Sequence, residues 1–519
     1  MIVVEESKAL VLNLTNPNRV LHSVSKSKLI MYNNQQLVVT PHTIPVTNRL
    51  RLIGIKAPSP ILHYYNWCGN FTPYYHQKMT SAFLTMHNKA LVLNEIGTGK
   101  TQSALWACDY LMSIGLIRKV LIISPLSTLE RVWGDSIFMN FPHRQAVTLY
   151  GTSARRKELL KTTADFFIIN HDGFSIISED IKDMFDLIII DEAAVFRNPS
   201  TNRFRVIRKY IAQHPDIRLW LMTGTPTPND PTDAWTLAKL VDSPYVPRTY
   251  TGFRESVMMK VGQWRWVPRP ESVNIVKHIL YPAVRYSREE CFDLPETVCQ
   301  TRQVSLTAEQ HGHYDKMLKH FVTEFEQEGT ITAVNEAVKL QKLTQISCGV
   351  VYGDDGKHIE LDCLPRVKLV KEVIYEVGGK VIIFVPLTGT LKMLERLLSK
   401  EWSVNIVNGS VPTRKRNEIF HNFQNTKDPH VLIAHPATMA HGLTLTAAST
   451  IIWYAPVTSN EQYVQANGRI ERIGKKHVSN IVNIEATDLE HKMYERLRNK
   501  QKLQGLLLDL IKEETNDNE

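Results

Sequence analysis

One pattern occurs twice along the chain: short runs of apolar, mostly β-branched residues alternate with segments of helical periodicity. Such runs are typical of strands buried on both faces of a parallel sheet that helices cover. The sequence therefore predicts an α/β protein with two lobes. The first lobe holds LVLN (91–94), VLIIS (120–124), FFIIN (166–170), DLIII (186–190) and RLWLM (218–222), and the second holds KVIIFV (380–385), VNIVN (404–408), VLIAH (431–435), TIIWYA (450–455) and SNIVNI (479–484).

Less regular segments surround the two lobes. Short apolar alternations broken by Pro and Asn near the start of the chain predict a small β-rich appendage. Long helical patterns over 307–346 predict a helical insert or connector between the lobes. The predicted domains are an accessory domain at 1–70, the first lobe at 71–290, the connector at 291–365, the second lobe at 366–500, and a C-terminal helix and tail at 501–519.

Composition narrows the functional classes. Lys and Arg (61) exceed Asp and Glu (52) by nine, which favours a polyanionic partner. The six cysteines form no C-x-x-C pair, so neither a zinc module nor a disulfide framework is indicated. The chain has no run of 18 apolar residues, and its first residues are acidic where a secretory leader is basic. We expect a cytoplasmic monomer without a membrane partner, with association with the nucleoid as an option.

The segment NEIGTGKTQSAL (94–105) places a glycine-rich turn between a buried strand and a helix. Backbone N–H groups of Gly97, Thr98 and Gly99 can cradle phosphate oxygens there, with Lys100 on the β- and γ-phosphates and Thr101 on Mg²⁺. The full P-loop pattern has glycine where this chain has Asn94. The pattern predicts an ATP site that lacks one of its usual glycines.

About ninety residues later DLIIIDEAA (186–194) ends a predicted strand with two carboxylates. Asp191 can hold Mg²⁺, and Glu192 can orient or deprotonate the attacking water. Adjacent acids at a strand end are usually solvated loop residues. A P-loop in the same lobe reverses that expectation, so we interpret the pair as part of an ATPase site.

The order of the remaining motifs resembles superfamily 2 nucleic-acid motors, particularly the Swi/Snf-like group. FTPYYHQKMTSAFL (71–84) is similar to the adenine-sensing motif and implies that Gln77 reads the base. LIISPLSTLERVW (121–133), IINHDGF (168–174) and MTGTPTPNDP (222–231) resemble three further motifs of the first lobe. The resemblance implies nucleic-acid contacts in these motifs, at Ser124, Thr128, His171 and Thr225.

The second lobe supplies the rest of the resemblance. VNIVNGSVPTRKRNEIFHNF (404–423) and MAHGLTLTAASTIIWY (439–454) are similar to motifs that contact nucleic acid, which implies roles for Asn408 and Thr444. QANGRIERIG (465–474) resembles motif VI. The likeness implies that Gln465 and Gly468 contact the nucleotide and that Arg469 and Arg472 act as arginine fingers on the γ-phosphate.

The resemblance covers residues 71 to about 500 and implies two RecA-like lobes that bind ATP and Mg²⁺ between them. Two motifs depart from the Swi/Snf-like pattern. DEAA stands where Asp-Glu-x-His is usual, and ERIGK stands where HRIGQ is usual. The segments GLTLTAAS and TGTPTPNDP resemble the distant annealing-helicase branch more than chromatin remodellers, and the compact chain resembles prokaryotic or bacteriophage members.

Three functions compete at this point. The first is an ATP-dependent translocase that moves along duplex DNA and remodels branched DNA or DNA–protein complexes, with repair or recombination as its setting. The second is a strand-separating helicase acting on DNA forks, junctions or RNA, for which Trp264 and Trp266 could form a separation pin. The third is an ATP-binding scaffold, disfavoured because Lys100, Asp191 and Glu192 are intact.

Overall fold

The computed structural model describes residues 1–228, 230–261, 266–292, 297–317, 333–352, 358–439, 445–470 and 478–499. These residues form two compact units, and the chain passes from the first to the second between Cys291 and Phe292. Each unit is built around a parallel sheet, and the first also carries a small antiparallel sheet. The prediction of two α/β lobes with a small β-rich appendage is confirmed.

The antiparallel sheet lies at the start of the chain and contains β1 (Ile2–Val4), β2 (Ala9–Asn13), β3 (Lys28–Tyr32) and β4 (Gln35–Pro41). Its strand order is β1-β2-β4-β3. Asn33 and Asn34 link the last two strands with φ angles of 49° and 60°, the left-handed backbone that a two-residue hairpin turn requires. Leu10, Leu12 and Val38 form its buried face against helices α1 (Asn18–Ser23) and α2 (Ile44–Leu52).

The large sheet of the first unit is parallel and has the order β13-β5-β10-β9-β6-β8-β7. A short hairpin, β11 and β12, precedes its last strand. The seven strands of the sheet are β5 (Lys89–Val92), β6 (Val120–Ser124), β7 (Ala146–Thr148), β8 (Phe166–Asn170), β9 (Leu187–Asp191), β10 (Arg218–Met222) and β13 (Ala283–Val284). The hairpin strands are β11 (Met258–Lys260) and β12 (Trp266–Pro268).

Both faces of this sheet are buried. Successive side chains of a strand point to opposite faces, so Leu121 and Ile123 belong to one apolar cluster while Val120 and Ile122 belong to the other. This double burial explains why the strands read as continuous apolar runs. The helices of this unit beyond the appendage are α3 (Ile61–Tyr64), α4 (Tyr75–Met86), α5 (Lys100–Ser113), α6 (Asp135–Asn140), α7 (Ser153–Leu159), α8 (His171–Ile177), α9 (Asn202–Gln213), α10 (Ala234–Leu240), α11 (Tyr250–Val257), α12 (Ser272–Ile279) and α13 (Arg288–Cys291).

The second unit has a six-stranded parallel sheet of order β14-β21-β20-β17-β19-β18 and a separate β15–β16 hairpin. Its strands are β14 (Thr297–Gln303), β15 (Val350–Tyr352), β16 (His358–Glu360), β17 (Lys380–Phe384), β18 (Val404–Val407), β19 (Val431–Ala434), β20 (Ala448–Trp453) and β21 (Ser479–Glu485). Its helices are α14 (308–317), α15 (Ala333–Cys348), α16 (Leu364–Val377), α17 (Thr388–Leu398), α18 (Thr413–Asn425), α19 (Asn460–Asn467) and α20 (488–499).

The segment predicted as a helical connector contributes more than helices. It contains α14 and α15, in agreement with the helical pattern, but it also supplies β14, which pairs with β21 from Thr297 to Gln303. Most side chains of β14 are exposed or half-buried, as expected for an edge strand. The described part of this segment therefore belongs to the sheet of the second unit as well as to its helices.

Candidate functional site

The glycine-rich turn joins β5 to α5, and its backbone requires glycine at two places. Gly97 and Gly99 have φ angles of 89° and 83°, a region that disfavours any side chain. A Cβ atom on Gly99 would lie 2.1 Å from Nε2 of Gln77, so a larger residue would also clash. Helix α5 begins at Lys100, which leaves the first N–H groups of the helix without a partner inside it. The turn is therefore built to receive an anion.

Two polar side chains of α4 stabilise the glycine-rich turn through hydrogen bonds to its backbone. Nε2 of His76 and Nε2 of Gln77 both donate hydrogen bonds to the carbonyl of Thr98, at 2.9 and 3.2 Å. Oε1 of Gln77 accepts from the backbone N–H of Tyr74 at 3.0 Å. The predicted adenine-reading amide thus contacts the glycine-rich turn and the start of its own helix, and its role toward the base stays a prediction.

Lys100 lies among carboxylates that are distant in sequence. Its Nζ donates to the carbonyls of Asn94 and Glu95, at 3.0 and 3.1 Å. Burial lowers the pKa of Lys100, whereas the nearby charges of Glu192, Asp191 and Glu95 raise it. The structure therefore brings Lys100 together with the two acids that the sequence predicted as its partners.

Asp191 ends β9 and is held by two aromatic side chains. Nε1 of Trp133 donates to Oδ2 of Asp191 at 3.1 Å, and Nε2 of His171 donates to its carbonyl oxygen at 2.8 Å. Glu192 has a φ angle of 50°, which is uncommon for a residue with a side chain. Strained backbone of this kind persists where the surroundings enforce it, often at functional sites.

The strand order explains why these residues meet. β10 pairs with β5 on one side and with β9 on the other, so the carboxyl ends of the three strands form one edge of the sheet. The turn after β5, the acids at the end of β9 and the Thr223–Thr225 segment after β10 therefore lie side by side. Ligands of open α/β sheets bind at this edge.

The donor set fits Mg²⁺ held together with a phosphate. Asp191 offers one buried carboxylate, 8% exposed, and Thr101 offers a hydroxyl at the start of α5. Among the described residues no group of three His, Cys, Asp or Glu side chains forms a metal cluster. Mg²⁺ commonly binds through one or two carboxylates, substrate phosphates and water, so the residues present suit that arrangement.

The side chains predicted to contact nucleic acid are buried. Ser124, Thr128, His171, Thr225 and Asn408 are exposed by 0, 4, 8, 1 and 4%, respectively. Several of them hydrogen-bond within their own unit, as Thr128 does to the carbonyl of Pro125 and Asn408 does to Ser410. Thr444 lies outside the described residues. The role of these motifs toward nucleic acid stays a prediction. Because these side chains are buried, the neighbouring backbone and exposed side chains would make any direct contact with nucleic acid.

Motif VI lies at the end of α19 in the second unit. Gln465 is buried and its Nε2 donates to Glu461 at 3.3 Å, and the N–H of Gly468 bonds the carbonyl of Val464. Arg469 is 3% exposed, and its carbonyl accepts the N–H of Leu445 at 3.1 Å. Arg472 lies outside the described residues. The predicted contacts of these residues with the nucleotide remain predictions.

Trp266, which could have formed a separation pin, packs against the apolar core of the first unit. The guanidinium of Arg254 lies 4.6 Å from the centre of its ring, a cation–π contact. Trp264 lies outside the described residues. The position of Trp266 favours a packing role.

Sequence reasoning misses several residues at the site, among them Asn94, Glu95 and Arg285. The motif marks Asn94 only as a missing glycine, and it gives no prediction for Glu95 or Arg285. Arg285 follows the two-residue strand β13, 190 positions from Glu95, and donates to Oε1 of Glu95 at 2.7 Å. The only sequence signal for it was a charged residue at the end of a short apolar stretch.

Among the described residues, no helix is both long and apolar enough to cross a membrane.

Comparison with known proteins gives two family matches. The SNF2-related domain matches residues 55–348, more than half of the chain, and the helicase conserved C-terminal domain matches residues 365–474. A protein of Acyrthosiphon pisum secondary endosymbiont phage 1 is 28% identical, over 85% of this chain and 99% of the phage protein.

Larger relatives match over a smaller share of their length. An uncharacterized ATP-dependent helicase of Mycoplasma genitalium is 24% identical over 80% of this chain and 40% of its own length. The ATP-dependent DNA helicase DDM1 of Arabidopsis thaliana is 23% identical over 80% of this chain and 59% of its own length. The chain thus spans less than two thirds of both helicases.

Proposed function

Because the chain belongs to the SNF2-related family and is a nucleic-acid-dependent ATPase with a helicase-type core, we propose that it uses ATP to move along duplex DNA. The observation that carries this proposal is that Lys100, after β5, lies within electrostatic range of Asp191 and Glu192, at the end of β9, on one edge of a parallel sheet. Remodelling of branched DNA or of DNA–protein complexes, in repair or recombination, is the task that we assign to this movement.

In this proposal the first unit binds the nucleotide phosphates. The N–H groups of residues 97–101 and the ammonium of Lys100 hold the β- and γ-phosphates. Thr101 and Asp191 would hold Mg²⁺, which when bound would neutralise charge on the phosphate oxygens. Glu192 accepts the proton of the attacking water, and Trp133 keeps Asp191 in place through its 3.1 Å hydrogen bond.

In the second unit, motif VI acts on the same nucleotide. We assign Gln465 and Gly468 to nucleotide contact, and Arg469 and Arg472 to the charge that develops on the transferred phosphate. The support is the family membership and the match of the helicase C-terminal domain over these positions.

DNA is the partner favoured by charge and by relationship. The net charge of +9 suits a polyanion, and a related plant protein is named a DNA helicase. A motor must hold every sequence equally, so contacts to phosphates rather than to bases fit the task. RNA is the second candidate partner. We assign the chain to the cytoplasm of a bacterial or phage-infected cell as a monomer, with association with the nucleoid as an option.

Replacing Arg469 by Ala tests the role of motif VI. We expect DNA-stimulated kcat to fall by at least about 100-fold while nucleotide affinity changes little, because the guanidinium acts mainly on transition-state charge. Steady-state kinetics at saturating DNA and nucleotide titration give both numbers. Arg496→Ala, on α20 of the same unit, is the matched control and should behave as the parent. A change confined to KM would make Arg469 a ground-state ligand.

The choice between translocation and strand separation needs a direct experiment. A duplex translocase follows one strand and leaves its complement paired. Its ATPase should therefore respond more to long duplex than to single strands, and it should displace the third strand of a triplex without opening a simple fork. A strand-separating helicase should do the reverse. Both bind phosphates, so salt dependence does not separate them. Efficient fork unwinding without triplex displacement would overturn the translocase proposal.

A further inference from the structure

The last residues of the first unit return to the phosphate-binding turn before the chain enters the second unit. We call Ala283–Cys291 the exit segment. Its strand β13 runs parallel to β5, and the N–H of Leu93 donates to the carbonyl of Val284 at 2.8 Å. The N–H of Glu95 donates to the carbonyl of Tyr286 at 3.0 Å. The exit segment is thus joined to the backbone at the start of the turn.

The side chain of Asn94 adds a second link. Its Oδ1 accepts the N–H of Tyr286 at 3.0 Å, and its Nδ2 donates to Oγ1 of Thr80 at 2.9 Å. Asn94 is 1% exposed. A glycine here, as in the usual P-loop pattern, would lose both bonds and so weaken the connection of the exit segment to α4.

Glu95 adds the third link, through both carboxylate oxygens. Its Oε1 accepts from Nη2 of Arg285 at 2.7 Å, and its Oε2 accepts the N–H of Arg288 at 3.0 Å. The side chain of Arg285 is 2% exposed, and its Nε and Nη1 find no hydrogen-bond partner among the described residues. A buried guanidinium with two unpaired nitrogens costs stability, so packing alone does not account for an arginine here.

The same residues set the position of the catalytic lysine. Nζ of Lys100 donates to the carbonyls of Asn94 and Glu95, the two residues that the exit segment holds. The positive charge of Arg285 also lowers the pKa of Lys100, while Glu95 raises it. A change in the position of Arg285 would therefore affect Lys100 in two ways: through the backbone of Glu95, and through the electrostatic interaction of the two cations.

We propose that Arg285 is a positioning residue for ATP hydrolysis: by anchoring Glu95 it fixes Lys100 and makes the setting of the phosphate-binding turn depend on the exit segment. The proposal rests on the nucleotide site proposed above. Since the exit segment ends where the chain passes from the first unit into the second, it is a covalent route by which a change at the turn can reach that unit. Stimulation of ATP hydrolysis by nucleic acid would therefore depend on this connection between the turn and the second unit.

The test removes Arg285 in ways that separate positioning from folding. Arg285→Met keeps the volume and loses the charge, Arg285→Lys keeps the charge, and Arg285→Met/Glu95→Gln removes both partners. Arg144→Met is the matched control, because Arg144 also forms a 2.7 Å ion pair, to Asp109 on α5, but at the far end of that helix from the turn. Thermal unfolding, ATP affinity, kcat and KM are measured with and without duplex DNA.

We expect Arg285→Met to lower DNA-stimulated kcat by about 100-fold, since a misplacement of about 1 Å can cost that much. ATP affinity should change less than about threefold, and Arg285→Lys should recover part of the loss. The double variant should regain thermal stability, because no carboxylate is left without its partner, but not turnover. Arg144→Met should keep the kinetic constants of the parent.

Two results would overturn the proposal: unchanged stimulated kcat in Arg285→Met, or a double variant that recovers turnover together with stability. If Arg285→Met does not fold, the double variant and Arg285→Lys decide by the same comparison. A parent protein that fails to hydrolyse ATP would instead contradict the nucleotide site itself. The two failures are therefore distinguishable.

Discussion

Lys100→Ala is expected to abolish ATP hydrolysis. The ammonium of Lys100 is the positive charge at the start of α5, and it lies close to the carboxylates of Asp191 and Glu192. Without it, the charge on the β- and γ-phosphates is uncompensated in the ground state and in the transition state. Turnover should fall below detection in a steady-state phosphate-release assay with saturating DNA.

Lys157→Ala is the control for this experiment, because Lys157 is half-exposed and pairs with Asp180 away from the turn. Lys100→Met keeps most of the side-chain volume and guards against a cavity effect. Both Lys100 variants should unfold at a temperature near that of the parent. Near-normal turnover in either folded Lys100 variant would remove this turn from the mechanism.

Glu192→Gln is expected to keep ATP binding and lose hydrolysis by about 1,000-fold, within the range ascribed to general bases. The amide retains the size of the carboxylate but cannot accept the proton of the attacking water. The left-handed backbone at this position suits Gln no worse than Glu, so the fold should persist. Single-turnover hydrolysis and nucleotide titration measure the two properties separately.

Glu158→Gln provides the matched control, since Glu158 lies on the exposed face of α7 and pairs only with Arg155 among the ion pairs of the described residues. It should hydrolyse ATP as the parent does. If Glu192→Gln turns over at the parental rate, Glu192 is not the base. If it fails to bind ATP, the residue serves the ground state instead.

The sequence predicted the buried strands and the edge strand β18, but it did not predict the edge strands β7, β13 and β14. β6 and β8 coincide with the runs VLIIS and FFIIN, because strands covered on both faces are apolar throughout. β13 has only two residues, and β14 (TVCQTRQ) exposes most of its side chains, so neither has the apolar pattern that marks a strand. Edge strands are defined by their neighbours, which a single sequence does not reveal.

The site was predictable where a motif has a fixed spacing and unpredictable where contacts are distant. Gly97, Gly99 and Lys100 follow from local backbone chemistry, and the structure brings Lys100 close to Asp191 and Glu192. Arg285 could not be predicted in this way, because its contact with Glu95 depends on a parallel pairing across 190 residues. Asn94 only departs from the motif in the sequence, because its two hydrogen bonds are to residues that the motif does not contain.

β10 lies between β5 and β9, and this position affects how much the sequence of the loops after β5 and β9 can vary. β10 is hydrogen-bonded to β5 and β9 along its length, so two strand spacings, about 10 Å, separate the phosphate-binding turn from the acidic pair. Hydrogen bonding within the sheet determines this separation, and the identity of the residues that follow the strands does not affect it. Substitutions such as Asn94 for glycine or Ala194 for histidine can therefore accumulate during evolution without altering the spacing of the two motifs.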